Sequence, residues 1–324
     1  MQKVQKVLVV IVVYNGEAVL VPCLDSVLKS DYPLDVFVWD NASSDASIEI
    51  LKTYETLFLH QKKEQIYKLI LSEKNVGFGI ANNAGLSYAL DNQYDFAFLL
   101  NQDAWLQADT ISKLLPLALA NPDWGIVSPL HLNREGTNLD PNHALHLGKE
   151  AGLRLDTDEL LAKKHTKNYT IPISNAAAWL LSRAFLEQVG GFDPLFFLYG
   201  EDNDLNQRRI FHGFQMGFVP AAHIHHARYK PPQASAPTQE ALYQRTLRRN
   251  MAEHLTYLKN INLSWSWLIC KSFSYLLKRW LLFRKQKDGI AQKTDWQAFK
   301  EVWKNRRQIL QNRAICKQKN RNFI

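Results

Sequence analysis

Cysteine is scarce: Cys23, Cys270 and Cys316 lie far apart in 324 residues. They supply neither a paired metal spacing nor a disulfide framework, which points to a reduced, cytosolic setting. Long apolar runs are lacking as well. The N-terminal stretch "VLVVIVVY" (7–14) falls far short of the about 20 apolar residues that span a bilayer, and no secretory signal pattern is visible. It reads instead as a strand buried on both faces of a parallel sheet. The following "VVYNGEAV" lacks a G-x-G-x-x-G fingerprint, which argues against a nicotinamide-type oxidoreductase. Acidic residues are few at one end. Residues 230–324 hold 20 Lys and Arg against 5 Asp and Glu, while residues 1–229 hold 19 against 26. An acidic body therefore carries a basic C-terminal segment.

At 46% hydrophobic residues the chain can bury a large core, as one large domain or one domain with an appendage. Its first 130 residues alternate strand and helix. Strands are expected over 7–15, 35–41, 67–73, 95–103 and 124–130. Helices are expected over 17–30, over 44–55 with Ser44 as N-cap, and from the "NVGFG" turn to about 91. A further helix at 108–121 is interrupted or kinked at Pro116. This rhythm predicts an α/β fold with a mostly parallel sheet and helices on both faces. Residues 131–172 lose it and read as a long insertion over one face. A strand and helix resume at 173–192, closed by Gly190 and Gly191, and another strand lies in 214–229. "KPPQASAPTQ" and its surroundings (230–240) read as a linker, ahead of a basic helical region, 241–324.

In a parallel α/β sheet, ligands bind beyond the carboxyl ends of the strands. Tyr14-Asn15, Asp40-Asn41, "NVGFGIANNAG" (75–85) and "LLNQD" (99–103) all end on that rim. Glycines 77 and 79 allow close backbone approach ahead of a helix N-terminus that favours anions; a tight strand-to-helix turn explains them equally well. Asn101-x-Asp103 places an aspartate where a divalent cation wants an oxygen ligand. "HIHH" (223–226) offers an imidazole, with His223 and His225 facing one way and His226 the other. "FFLYGEDNDLNQRR" (196–209) sets Glu201, Asp202 and Asp204 against one another. They complement a helix N-terminus, and in a cluster each raises its neighbours' pKa.

From about residue 6 to 228, these segments in this order resemble the family 2 glycosyltransferases, inverting enzymes of the GT-A fold, and in particular a rhamnosyltransferase-like subgroup. The resemblance rests on "VVIVVYN", "VWDNASSD", "NVGFGIANNAG", "LLNQD", "NAAAWLLSR", "GGFDPLFFLYGEDNDLNQR" and "HIHH". It implies that Tyr14, Asn15 and Asp40 hold the nucleotide base, and that Asn75, Gly77, Asn82 and Asn101 line the nucleotide-sugar pocket. It further implies that Asp103 and His226, with His225 or His223 as fallback, ligate Mg²⁺ or Mn²⁺. Asn101 stands where the family often has a first aspartate, so the metal has one anionic ligand fewer. Asp202 matches the general base, supported by Glu201, Asp204 and Arg208, and it would converge with Asp103 on one pyrophosphate.

The implied reaction takes a sugar from dTDP-rhamnose or a UDP-sugar to a saccharide or lipid-linked acceptor in surface polysaccharide synthesis. A non-catalytic, membrane-associated scaffold that keeps the fold is the alternative; it predicts lost carboxylates, yet Asp40, Asp103 and Asp202 are present. In the basic tail, Trp265, Ile269, Phe273, Leu276 and Trp280 share one helical face and Lys271, Tyr275, Lys278 and Arg279 the other. That division suits a helix lying on an anionic inner-leaflet surface, and hence a cytoplasmic, peripheral protein. Packing on the enzyme's own body, or in a homo-oligomer, remains the alternative. No nucleic-acid-binding motif is present, and the acidic body speaks against such a partner.

Overall fold

The computed structural model describes residues 4–150, 167–229, 238–286 and 288–324. A central sheet is built from β1 (Val7–Val13), β2 (Asp35–Asp40), β3 (Tyr67–Leu71), β4 (Phe96–Asn101), β5 (Ala104–Leu106), β6 (Trp124–Leu132), β7 (Tyr169–Thr170), β8 (Ala178–Ser182) and β9 (Gln215–His226). Its order is β3-β2-β1-β4-β8-β6-β9-β5, with β7 paired to β9. The first four strands run parallel, as do β6 and β9, whereas β8, β5 and β7 run antiparallel to their neighbours. The sheet is thus mixed, its parallel half being the part with the clearest strand–helix rhythm.

β1 is apolar throughout because both faces are covered. Val7, Val9, Ile11 and Val13 join a core with α1 (Leu20–Leu28), α2 (Ser47–Gln61) and α4 (Thr110–Ala120). Leu8 and Val10 join the opposite core with α3 (Phe78–Asp91) and α6 (Arg183–Val189). Burying each such side chain contributes about 1.5–3 kcal/mol. Gly85 lets α3 approach the sheet: a Cβ there would lie 2.5 Å from a Val10 methyl.

Two local expectations change. Ser44 is not the α2 N-cap; its amide donates to Asn15 Oδ1 at 2.8 Å. The start of α2 is held instead by Glu17 and Asp45, which accept from the Ala46 and Ser47 amides. α4 runs unbroken through Pro116, whose missing amide is offset by the buried face of Ile111, Leu114, Leu115 and Ala118. Of the expected insertion, His131 and Leu132 belong to β6, and α5 (Pro141–Leu145) leads into a π-helix, His146–Glu150. Residues 151–166, and 230–237 of the expected linker, lie outside the described residues.

α7 (Glu201–Phe211) precedes β9, and the basic tail forms α8 (Gln239–Lys259), α9 (Trp265–Lys285), α10 (Gly289–Lys304) and α11 (Arg306–Cys316). Leu258, Leu268, Val302 and Ile309 form the core of these last helices. They are joined to the sheet domain through buried charge. Lys259 pairs with Asp193 and lies 3.4 Å from Asp204, and Asn312 donates to Asp193 at 3.2 Å. The chain end folds back, with the Gly191 amide donating to the Asn322 carbonyl and Asn83 to that of Phe323. The wheel drawn for α9 changes accordingly: Leu276 is buried, and Arg279 points inward to Glu253, Asp295 and Asn250. No described helix is long and apolar enough to cross a membrane.

Candidate active site

The parallel strands end at a cavity of about 500 Å³ lined by Tyr14, Asn41, Asn75, Gly77, Asn101, Gln102, Asp103, Phe197, Leu198, Tyr229 and Arg248, among others. Local sequence explains its shape. Asn15 adopts a φ of 47°, which asparagine tolerates better than most residues, and Gln102 clasps the Tyr14 backbone with hydrogen bonds of 2.9 and 3.1 Å. Asn41 donates to Asn75 Oδ1 at 3.0 Å, and Gly77, at φ 89°, brings backbone to the wall. A Cβ on Gly77 would strike the Phe197 carbonyl at 2.5 Å. Asp40 is fully buried beside this wall. One of its oxygens accepts from Ser43 at 3.0 Å, and the other has no hydrogen-bond partner among the described residues. Of the expected residues, Asn15, Asp40, Asn82 and His226 do not line the cavity; Asn82 donates to the Phe78 carbonyl of its own helix at 2.9 Å.

Three-residue β5 brings Asp103 to the histidine run. It follows Asp103 directly and pairs antiparallel with the end of β9, setting Ala104 opposite His226. His226 Nε2 then lies 3.5 Å from Asp103 Oδ1, and Nδ1 lies 3.4 Å from Asp140 Oδ2. The other Asp103 oxygen accepts from the Tyr229 amide at 2.9 Å. Burial pushes the Asp103 carboxyl up, but His226 and the Tyr229 amide outweigh it and hold it below the usual range. Burial pushes His226 down, and the two flanking carboxylates reverse this. Asp140, the N-cap of α5, is gripped by Arg228. His225 instead stacks on Trp105, and His223 is buried on β9.

The second cavity, about 790 Å³, is lined by Glu201, Asp202, Asn175, Gln207, Arg245, Arg249, Thr256, Tyr199, Tyr257 and others. The three carboxylates of "GEDND" do not stay together. Glu201 and Asp202, the first residues of α7, face this cavity. Asp204 turns inward to Arg208, 2.8 Å away, and to Lys259. Arg208 therefore holds Asp204 alone, together with the Val189 and Gly191 carbonyls. Asp202 accepts from the Asn203 amide at 2.8 Å. Its carboxyl is raised by burial rather than by the neighbouring acids, against the pull of that amide and of His146. Glu201 is pushed up to about 8 by burial and by the charge on Asp202. Asp103 and Asp202 thus open into two cavities instead of one, and these adjoin: Leu198 lines the first and Tyr199 the second, as do Arg248 and Arg249.

The family model described as "Glycosyl transferase family 2" matches residues 8–190. The chain belongs to glycosyl transferase family 2. It is 30% identical over 111 residues to the glycosyltransferase GlyA of Streptococcus pneumoniae, a match covering 34% of this chain and only 14% of that protein. It is 23% identical over 219 residues to an N-acetylglucosaminyl-diphospho-decaprenol L-rhamnosyltransferase of Mycobacterium tuberculosis, covering 61% and 68% of the two chains. The mannosyltransferase PcManGT of Pyrobaculum calidifontis, solved with GDP-Man and Mn²⁺, gives a TM-score of 0.57 at 18% identity over 97% of this chain and 81% of that one. GalNAc-T7, solved with UDP, GalNAc and Mn²⁺, gives 0.53 at 16% identity over 79% and 51%. These likenesses bear out the GT-A fold with its C-terminal helical segment.

Among the described residues no three His, Cys, Asp or Glu gather as a metal cluster. In this family 2 chain the donors on offer are Asp103 Oδ1 and His226 Nε2, converging at 3.5 Å beside Asn101. That set fits a hard divalent cation whose remaining positions go to phosphate oxygens and water. Sequence reasoning missed Gln102, Phe197, Leu198, Tyr229 and Arg248 in the first cavity and Asn175, Gln207, Arg245 and Thr256 in the second. Asn175 opens the "NAAAWLLSR" motif and was within reach. The arginines read as solvated tail charge, and only packing of α8 over the cavities reveals them.

Proposed function

We propose that this family 2 member is an inverting glycosyltransferase. It moves a sugar from a nucleotide-diphosphate donor, dTDP-rhamnose or a UDP-sugar, to a hydroxyl of a saccharide or lipid-linked acceptor in surface polysaccharide synthesis. The observation that carries this reading is the pair of adjoining cavities. One is lined by the strand-end residues and Asp103, with His226 3.5 Å from Asp103; the other is lined by the half-buried Asp202 at a helix start. The nucleotide lies in the first, with Tyr14 and Asp40 toward the base and Asn75, Gly77 and Asn101 along the sugar diphosphate. Asp103 and His226 would hold a Mg²⁺ or Mn²⁺ ion, which when bound would neutralise charge on the departing diphosphate.

The acceptor lies in the second cavity. Asp202 takes the proton of its hydroxyl, the oxygen attacks the anomeric carbon from the face opposite the phosphate, and the carbon–phosphate oxygen bond breaks. The nucleoside diphosphate leaves with the electron pair, so the anomeric centre inverts. Rhamnose finds support in the name of the Mycobacterium relative.

The protein acts at the inner face of the cell membrane. α9 and α10 expose Phe273, Leu277, Trp280, Leu281 and Trp296, with Arg284 and Lys300 over the two tryptophan rings. Apolar aromatics interleaved with cations suit an anionic lipid surface.

A thermal-shift panel of sugar nucleotides with and without Mn²⁺, followed by donor hydrolysis, tests the reading. One nucleotide should stabilise the protein in a Mn²⁺-dependent way and be hydrolysed slowly. A panel in which none binds overturns it.

A further inference from the structure

α8 presents three arginines, Arg245, Arg248 and Arg249, at a spacing that puts them on one helical face. That face lies over the site: Arg248 lines the cavity of Asp103, and Arg245 and Arg249 line that of Asp202. Among the described residues Arg245 has no carboxylate partner. Arg249 lies 3.7 Å from Glu253 with its side chain 74% exposed, and Glu253 is already gripped by Arg279. An exposed arginine on a helix is ordinarily just solvated, and these two would be so read if their cavity were otherwise self-satisfied. It is not. Asn175, Gln207 and Thr256 line it, and among the described residues both amide atoms of Asn175, Gln207 Oε1 and Thr256 Oγ1 are buried without hydrogen-bond partners. Buried polar atoms are paired in the great majority of cases, so an unpaired set around one cavity marks where a polar ligand sits.

We propose that the acceptor bound at Asp202 carries a phosphate or diphosphate group, held by Arg245 and Arg249, while its sugar hydroxyls pair with Asn175, Gln207 and Thr256. This rests on the reading of the second cavity as the acceptor site. The guanidinium fork matches phosphate oxygens two at a time, and charge-assisted bonds of this kind are about twice as strong as neutral ones. Asp202 in the same cavity repels an anion, so the phosphate lies toward α8 and the reacting sugar toward α7. Such a polarity aligns the acceptor before any proton moves.

The test uses the full chain with its first cavity filled by UDP or dTDP and Mn²⁺, titrated calorimetrically with farnesyl diphosphate, inorganic pyrophosphate and farnesol. Farnesyl diphosphate should bind the wild type, and Arg245→Ala/Arg249→Ala should weaken it about tenfold or more, with Arg245→Lys/Arg249→Lys in between. Equal, arginine-dependent binding of pyrophosphate assigns recognition to the phosphates alone; weaker binding adds the lipid chain as part of the ligand. Farnesol binding as tightly as the diphosphate, or a double alanine variant that binds like the wild type, overturns the proposal. So does a protein that binds the nucleotide but neither diphosphate, and in that case the glycosyltransferase reading stands. If no nucleotide binds, that reading fails and takes this proposal with it.

Discussion

Leu198 and Tyr199 are consecutive in the chain but line different cavities, Leu198 that of Asp103 and Tyr199 that of Asp202. The two cavities therefore meet at consecutive residues here, and Tyr199 is held at φ 72°, rare for a non-glycine residue and commonest at functional sites. On the proposed reading, the sugar is transferred across this boundary. Leu198→Trp is expected to leave nucleoside diphosphate affinity within about twofold and to slow transfer roughly tenfold or more, because small misplacements of reacting groups are expensive in rate. Calorimetry on the nucleotide and a transfer assay on the same variant check both halves.

The two carboxylates at the start of α7 have opposite expected phenotypes. Asp202→Asn removes the proposed base and should lower kcat by about 10²–10⁴-fold with nucleotide binding intact. Because burial raises the Asp202 carboxyl, the acidic limb of the wild-type rate profile should lie above the ordinary carboxylate range. Glu201 behaves as a buried neutral acid, its pKa pushed up to about 8. A folded-state pKa above the unfolded one means the stability contribution is full at low pH and is lost as pH rises from the unfolded value through about 8. Glu201→Gln cannot ionise. Its melting temperature should therefore pull progressively ahead of the wild type across that window and run parallel outside it, as thermal melts from pH 4 upward would show.

The parallel half of the fold was legible because its signals are local. β1 alternates between two cores and so reads as an unbroken apolar run, and Gly77 and Gly85 answer to a positive φ and a close helix approach. Pairings across the chain were not legible. Nothing near Asp204 announces that it faces Lys259, 55 residues on, instead of Asp202. The start of α2 misled in part for the same reason, since a nearby serine looked adequate while Glu17, from 29 residues back, holds the Ala46 amide and Asp45 that of Ser47. His226 was found from its place in a motif, whereas its neighbour Asp140 sat in a stretch with no periodicity at all.

Lys259 joins the C-terminal helices to the sheet domain. It is buried, pairs with Asp193 and approaches Asp204, and burial lowers its pKa to about 8. Lys259→Met leaves two carboxylates buried with one cation fewer, and breaking such a pair destabilises by about 3–5 kcal/mol. Adding Asp193→Asn should recover part of this loss. Urea denaturation of the single and double variants measures it, and equal stability of Lys259→Met and wild type would show that the helices dock without this charge.

Asp103 and His226 converge from the two sides of the β5–β9 pairing. Asp103→Asn keeps the shape and the amide contact from Tyr229 but removes the charge. Nucleotide affinity measured without metal should change little, while the gain produced by Mn²⁺ should largely vanish. Loss of affinity in both conditions alike would place Asp103 in nucleotide contact and not in metal binding.

The exposed face of α9 and α10 makes a separate prediction about place. Phe273 is 50% exposed, Leu277 58%, Leu281 52% and Trp296 51%. Side chains of this size left in water on two adjoining helices constitute a patch with a purpose. The surrounding Lys278, Arg284, Lys285, Lys293 and Lys300 add the charge that an anionic bilayer attracts, about 1 kcal/mol for each cation near the surface. Flotation with vesicles of phosphatidylglycerol and phosphatidylethanolamine should carry the protein upward at low salt. Trp280→Ala/Trp296→Ala should leave most of it behind without lowering nucleotide binding, since neither ring touches either cavity. Raising salt should weaken flotation in the wild type through the cations and affect the double variant more, because the apolar anchor that persists under screening is then gone. Protein that stays with the soluble fraction at low salt, or floats equally with neutral vesicles, removes the anionic leaflet from the account.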